Sequence, residues 1–246
     1  MFGKTYDLIL SQCLTIVVMA LAAVGIVGGR SELFAQPRLE VGLQAVDVSP
    51  NLEAGDPIWL AGLERNRAAT EVHDPLYARA LVLRADRKMI ALVGVDSIGI
   101  QRPTVLSIRD KLKEFDYVLV ASTHTHSAPD CVGLWGRSES ESGVTKSYMR
   151  KLEEGIVRAV RRAASVAVPA RAVYGTAKDQ SLLADYRLPN VFDSVLRVVR
   201  FDRISDGKPC GLLVQWNAHG VEPRNNMRIS RDFSGVTVDV LERRHE

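Results

Sequence analysis

Ile90-Ala91-Leu92-Val93-Gly94-Val95 and Tyr117-Val118-Leu119-Val120-Ala121 are two short, almost continuously apolar runs separated by a stretch of helical periodicity. Apolar runs of this length, rich in Val, Ile and Leu, read as buried strands. Between them Pro103 opens a predicted helix in which Val105, Ile108 and Leu112 share one face. The three segments form a βαβ unit, so the two strands are expected to be parallel neighbours joined by a right-handed crossover. Ligands of open α/β sheets bind beyond the carboxyl ends of such strands. Asp96 follows the first strand and Ser122-Thr123-His124-Thr125-His126 follows the second, which directs the search for chemistry to that end of the sheet.

Working outward, Leu39 to Val48 reads as a strand ending at Ser49-Pro50, and Tyr77 to Leu83 as another. A second helix is predicted over Tyr148 to Ala164, with Leu152, Ile156, Val160 and Ala163 on one stripe. Its opposite face, which carries Arg158, Arg161 and Arg162, reads as solvated. Val195 to Phe201 and Leu212 to Trp216 flank the hairpin signal Ser205-Asp206-Gly207, and the second of these strands runs into Asn217-Ala218-His219. A last helix is expected from Val236 to Leu241, capped by Ser230 or Asp232. The fold class is therefore α/β, with α+β the alternative: a mixed sheet with a βαβ unit flanked by helices.

The 246 residues are 46% hydrophobic and 25% charged, enough for one sizeable core or two small ones, which excludes a disordered chain. The net charge is +3, and the 32 basic residues are interleaved with 29 acidic ones, which argues against nucleic acid as a partner. Cys13, Cys131 and Cys210 form no CxxC pair, so no disulfide framework is indicated. Pairing of Cys131 with Cys210 and two free buried thiols both remain open.

After Lys4 comes an apolar run whose densest part is Leu14 to Val27, followed by small residues. Residues 1–36 read as an export signal, with an uncleaved membrane anchor as the competing reading, since Leu8 to Gly28 is long enough to span a bilayer. Either places residues 37–246, read as the α/β domain, outside the cytoplasm: secreted, periplasmic or anchored.

His124 and His126 lie two apart at a strand end. In extended chain, alternate residues face one side, so both imidazoles can approach a single ion, or one can ligate while the other hydrogen-bonds nearby. Two polar loop histidines would show the same spacing. A metallo-β-lactamase pattern requires Asp and His where Ala128 and Pro129 stand, so that reading fails. His219 also follows an apolar strand, and two strand-end histidine sites are better evidence than either alone.

Four segments now fall in an order that resembles the amino-terminal domain of the neutral/alkaline, non-lysosomal ceramidase family. They are the run Val72-His73-Asp74-Pro75-Leu76-Tyr77-Ala78-Arg79-Ala80-Leu81-Val82-Leu83, the strand end Val95-Asp96-Ser97, Thr123-His124-Thr125-His126-Ser127-Ala128-Pro129, and Asn217-Ala218-His219-Gly220 with Ile229-Ser230-Arg231-Asp232-Phe233-Ser234-Gly235. The resemblance covers most of the chain from Val41 to Leu241 and implies zinc-dependent hydrolysis of the N-acyl bond of ceramide-like lipids. It implies His124 and His219 as zinc ligands and His126 as a neighbouring active-site histidine. Arg187, in Tyr186-Arg187-Leu188-Pro189, matches an active-site arginine, although Tyr186 replaces the Asn that the family carries before it. Asp96 and Asp232 are read as orienting residues or as turn and cap formers. The family's other zinc ligands, a Glu and a Tyr, match positions beyond Glu246, so the site is expected to be incomplete in this chain. The alternative is a non-catalytic exported domain that keeps the fold.

Overall fold

In the computed structural model, which describes residues 38–220 and 226–245, the elements run β1 (Glu40–Asp47), a 3-10 turn (Leu52–Ala54), β2 (Glu71–Val72), β3 (Tyr77–Ala85), β4 (Lys88–Val95), α1 (Arg102–Lys111), β5 (Tyr117–Ser122), α2 (Lys146–Ser165), β6 (Val168–Lys178), β7 (Val195–Arg203), β8 (Pro209–Gln215), β9 (Arg228–Ile229) and α3 (Asp232–His245). The leader and Cys13 lie outside the described residues. Among the described residues no helix is long and apolar enough to cross a membrane.

Seven strands form one mixed sheet in the order β5-β4-β3-β1-β6-β7-β8. β4 and β5 are parallel, with Ile90 opposite Tyr117 and Val95 opposite Ser122, as the βαβ reading requires. The other neighbours in this sheet are antiparallel. β7 and β8 make the expected hairpin around Ser205-Asp206-Gly207. β2 and β9 form a separate parallel pair that ties residues 71–72 to residues 228–229.

Strand alternation sorts the core onto two faces. Ala78, Ala80 and Val82 of β3 and Ala91, Val93 and Val95 of β4 face the helices and pack with Ile108, Leu112, Leu152, Ile156, Val160 and Ala163. On the opposite face Leu81 joins Val41, Ala170 and Phe201 in a smaller cluster. Gly42 is needed on the helical side: a Cβ there would overlap the Ala163 carbonyl, so its absence lets α2 lie close against β1.

Three sequence expectations change. β6 was not expected, because Pro169, Gly175 and four alanine or lysine positions in Val168–Lys178 are poor strand formers, yet it joins β1 to β7 in the middle of the sheet. The last helix begins at Asp232 rather than Val236, and Ser230 Oγ accepts the Asp232 N–H at 3.0 Å at its start. Strand β8 ends at Gln215, one residue before Trp216. Both described cysteines are free, and burial pushes the Cys131 thiol up to about 12.

Candidate metal centre

Beyond the end of β5 the chain stays bonded to β4 and the segment after it for two more residues: Thr123 N–H donates to the Val95 carbonyl and His124 N–H to the Ser97 carbonyl, both at 2.9 Å. The backbone then leaves the extended conformation. His124 has φ of 65°, in the left-handed region, and His126 lies in a turn. The expectation that alternation along extended chain would bring the two rings together is therefore corrected: a backbone reversal does it. A left-handed residue other than glycine costs on the order of 1 kcal/mol, so the surrounding bonds must hold it there.

Those bonds are specific. His124 Nδ1 bonds the Ile98 carbonyl at 2.6 Å, which requires the proton on Nδ1 and leaves Nε2 available as a donor atom. Thr125 Oγ1 donates to the Ser230 carbonyl, and Ser230 N–H donates to the Ser127 carbonyl, both at 2.9 Å. The buried Arg67 guanidinium reaches the carbonyls of Ala61, His126 and Asn226. Gly62, with φ of 90°, lies against the His126 ring, where a Cβ would meet Cγ at 2.5 Å and Nδ1 at 2.7 Å.

His219 arrives from the other end of the sheet, four residues past β8. Its Nε2 lies 2.7 Å from His126 Nε2, and its ring centroid is 4.8 Å from that of His124 and 4.6 Å from that of His126. One ligand atom from each of His124, His126 and His219 falls within 4.8 Å of the others, so the structure brings all three histidines into one cluster. His126 is buried, and burial together with His219 and His124 holds its pKa down at about 4. His219 is more open; burial, His124 and Arg187 lower its pKa and Asp232 opposes them. Both rings are thereby kept neutral with a lone pair available near pH 7.

The remaining sequence candidates divide. Arg187 is exposed, in the connection between β6 and β7, close enough for its charge to act on His219. Asp96 is buried and engaged by β3: Oδ2 accepts Tyr77 N–H at 2.9 Å and Arg79 Nη1 at 2.7 Å, which makes it a bracket between β3 and the end of β4. Asp232, with φ of 58°, sits at the start of α3 with Oδ2 buried and without a hydrogen bond, its carboxylate packed on Gly220 beside His219. The sequence reading missed Gly62, Arg67 and the Asn217–Asp193 bond at 2.7 Å that fixes the His219 segment. Only Gly62 carried any local signal, as an isolated glycine in a loop.

The donor set fits zinc. Three neutral imidazoles are a common zinc environment, and ligands at 2.0 to 2.1 Å in a tetrahedron sit about 3.3 Å apart, so the His126 and His219 nitrogens, 2.7 Å apart, need to separate by about half an ångström while the widest pair, up to 4.8 Å apart, closes by about 1.5 Å.

A mixed α/β sheet with three imidazoles gathered at its strand ends defines the class, an α/β domain with a candidate metal centre, and comparison with known proteins finds this fold in neutral ceramidases. A particular protein to which the chain is similar is the neutral ceramidase of Pseudomonas aeruginosa, 25% identical over 217 residues. That match covers 79% of this chain and 32% of the relative, so the chain spans about a third of the length of the curated protein it matches. The crystal structure of neutral ceramidase from Pseudomonas aeruginosa superimposes with a TM-score of 0.66 at 22% identity, covering 80% of this chain and 34% of that one. A structure of ceramidase complexed with C2 gives 0.67 at 22% identity, with the same coverage. No protein-family model matches the sequence.

Proposed function

We propose that the chain carries the histidine part of a zinc-dependent amide hydrolase acting on lipid-like N-acyl substrates of the ceramide type. The observation that carries this reading is the convergence of His124, His126 and His219, from two distant segments, within 4.8 Å. The similarity to neutral ceramidase over 79% of the chain supplies the substrate class.

Amide hydrolysis adds the oxygen of water to the carbonyl carbon and breaks the C–N bond, with a proton passing to the leaving amine. Zinc held by the three imidazoles would supply a Lewis acid for that chemistry. The protein's own contribution is order. Ile98 fixes the His124 tautomer, while Gly62 and the carbonyl grip of Arg67 fix the His126 ring and backbone. The Arg187 charge reaches His219, which suits an oxygen that gains negative charge or an anionic head group nearby.

A non-catalytic exported domain that keeps the fold fits the same donor set, since the cluster among the described residues holds three imidazoles and no carboxylate. One pair of measurements separates the readings. Zinc stoichiometry of the full chain and hydrolysis of a fluorescent N-acyl amide are compared with His126→Ala and His219→Ala. One zinc per chain, lost in both variants together with turnover, supports the hydrolase. One zinc without turnover favours the non-catalytic domain, and no zinc sinks the hydrolase reading.

A further inference from the structure

Ser230 is held from both sides before it meets the histidines. Ile229 pairs with Val72 in the short β2–β9 ladder, is fully buried, and its carbonyl accepts the His73 N–H at 2.9 Å. On the other side the Arg231 N–H and Nε both donate to Asp74 Oδ1, at 2.9 and 2.8 Å. Ser230 Oγ accepts the Asp232 N–H at 3.0 Å where α3 begins. The Ser230 backbone is therefore a fixed post, set by segments that carry none of the three imidazoles.

Thr125 ties the histidine turn to that post. It stands between His124, left-handed at φ of 65°, and His126, and is 1% exposed. Its Oγ1 donates to the Ser230 carbonyl at 2.9 Å and accepts the Ser127 N–H at 3.2 Å. The Ser230 N–H, donated to the Ser127 carbonyl at 2.9 Å, closes the bridge. A hydroxyl is able to donate and accept at once, and a buried carbonyl that loses its donor costs more than the bond itself contributed. Upstream, the sheet holds the turn through the Ser97 carbonyl and the His124 N–H. Downstream, the hold is at Thr125.

We infer that Thr125 is a positioning residue of the three-histidine centre: through its hydroxyl the fixed Ser230 backbone sets the reversal between His124 and His126, and with it the places of their ligand nitrogens. For its purpose the assignment rests on the zinc reading above; its physical basis is the bridge alone.

Two substitutions separate the hydroxyl from the volume. Thr125→Val keeps the shape and removes both bonds, whereas Thr125→Ser keeps the hydroxyl and removes a methyl group. In the full, zinc-free chain at about pH 8, above the ordinary imidazole range, ring-nitrogen NMR of labelled histidine reads the tautomer of each ring. The parent is expected to show the His124 proton on Nδ1, bonded to the Ile98 carbonyl. Thr125→Ser should keep that signature, and Thr125→Val should exchange it for the mixed tautomers of a free imidazole. Zinc affinity should follow, within a few-fold of the parent in Thr125→Ser and about 10- to 100-fold weaker in Thr125→Val. A Thr125→Val chain with the parent's tautomer and affinity overturns the inference. So does the reverse pattern, Thr125→Ser impaired and Thr125→Val intact, which would make methyl packing the whole role. Should Thr125→Val not fold, the parent decides: zinc is expected to slow exchange of the Ser230 amide several-fold through the bridge, and unchanged exchange overturns the inference. A parent that takes up no zinc removes the hydrolase reading and leaves the tautomer comparison to decide Thr125. A parent that binds zinc and is matched by Thr125→Val removes the role of Thr125 and leaves that reading standing.

Discussion

His126 and His219 stand 93 residues apart in the chain, yet their Nε2 atoms lie 2.7 Å from each other. The contact joins the turn after β5 to the segment after β8, at opposite edges of the sheet order. Two neutral rings pressed together this closely are arranged to share either a proton or a cation.

Loss of any of the three imidazoles should therefore weaken zinc binding by more than the 10- to 100-fold typical of residues that only support a ligand. His124→Ala, His126→Ala and His219→Ala are each expected to lose at least about 100-fold in competition with a chromogenic chelator. Arg187→Ala should keep zinc affinity within a few-fold. A His126→Ala chain with full affinity would reduce the centre to two ligands.

Gly62 offers no donor side chain but controls one. With φ of 90° and the His126 ring where a side chain would go, Gly62→Ala is expected to cost about 1–2 kcal/mol from backbone strain and more from the clash. The melting temperature should fall, and zinc affinity should fall with it. Unchanged affinity in a folded Gly62→Ala protein would show that the ring position does not matter.

Arg231 anchors the last helix. Its buried guanidinium bonds Asp74 Oδ1 at 2.8 Å and Asp239 at 2.9 and 3.0 Å, and its Cζ lies 5.5 Å from the centre of the Tyr77 ring. The hydrogen bond from Arg231 is the main cause holding the Asp239 carboxyl below its usual range. A depressed carboxyl stabilises the fold fully above the unfolded value of about 3.9 and loses that contribution as pH falls through the lower folded value. Acid titration of thermal stability should show this loss below about pH 4 in the parent and a smaller one in Arg231→Met. Equal acid sensitivity of the two chains would remove the linkage.

Ile156 is fully buried between α2 and the sheet. Ile156→Ala is expected to cost about 2–5 kcal/mol in denaturant unfolding, through lost burial and the cavity left behind. A cost under about 1 kcal/mol would mean that α2 can close over the gap.

The sequence by itself determined the βαβ unit, because Ile90–Val95 and Tyr117–Ala121 are apolar runs too short for a buried helix and rich in β-branched residues, and the helix between them keeps a 3.6-residue stripe. From that followed the end of the sheet at which His124 stands. Local pattern could also mark the strand leading to His219. It could not show β6, whose alanines and Pro169 carry weak strand preference and whose pairing with β7 decides its conformation. Nor could it place His126 Nε2 against His219, set the left-handed turn at His124, or put Gly62 under the ring. These depend on contacts between segments far apart in the chain, and only packing of the complete sheet fixes their separation.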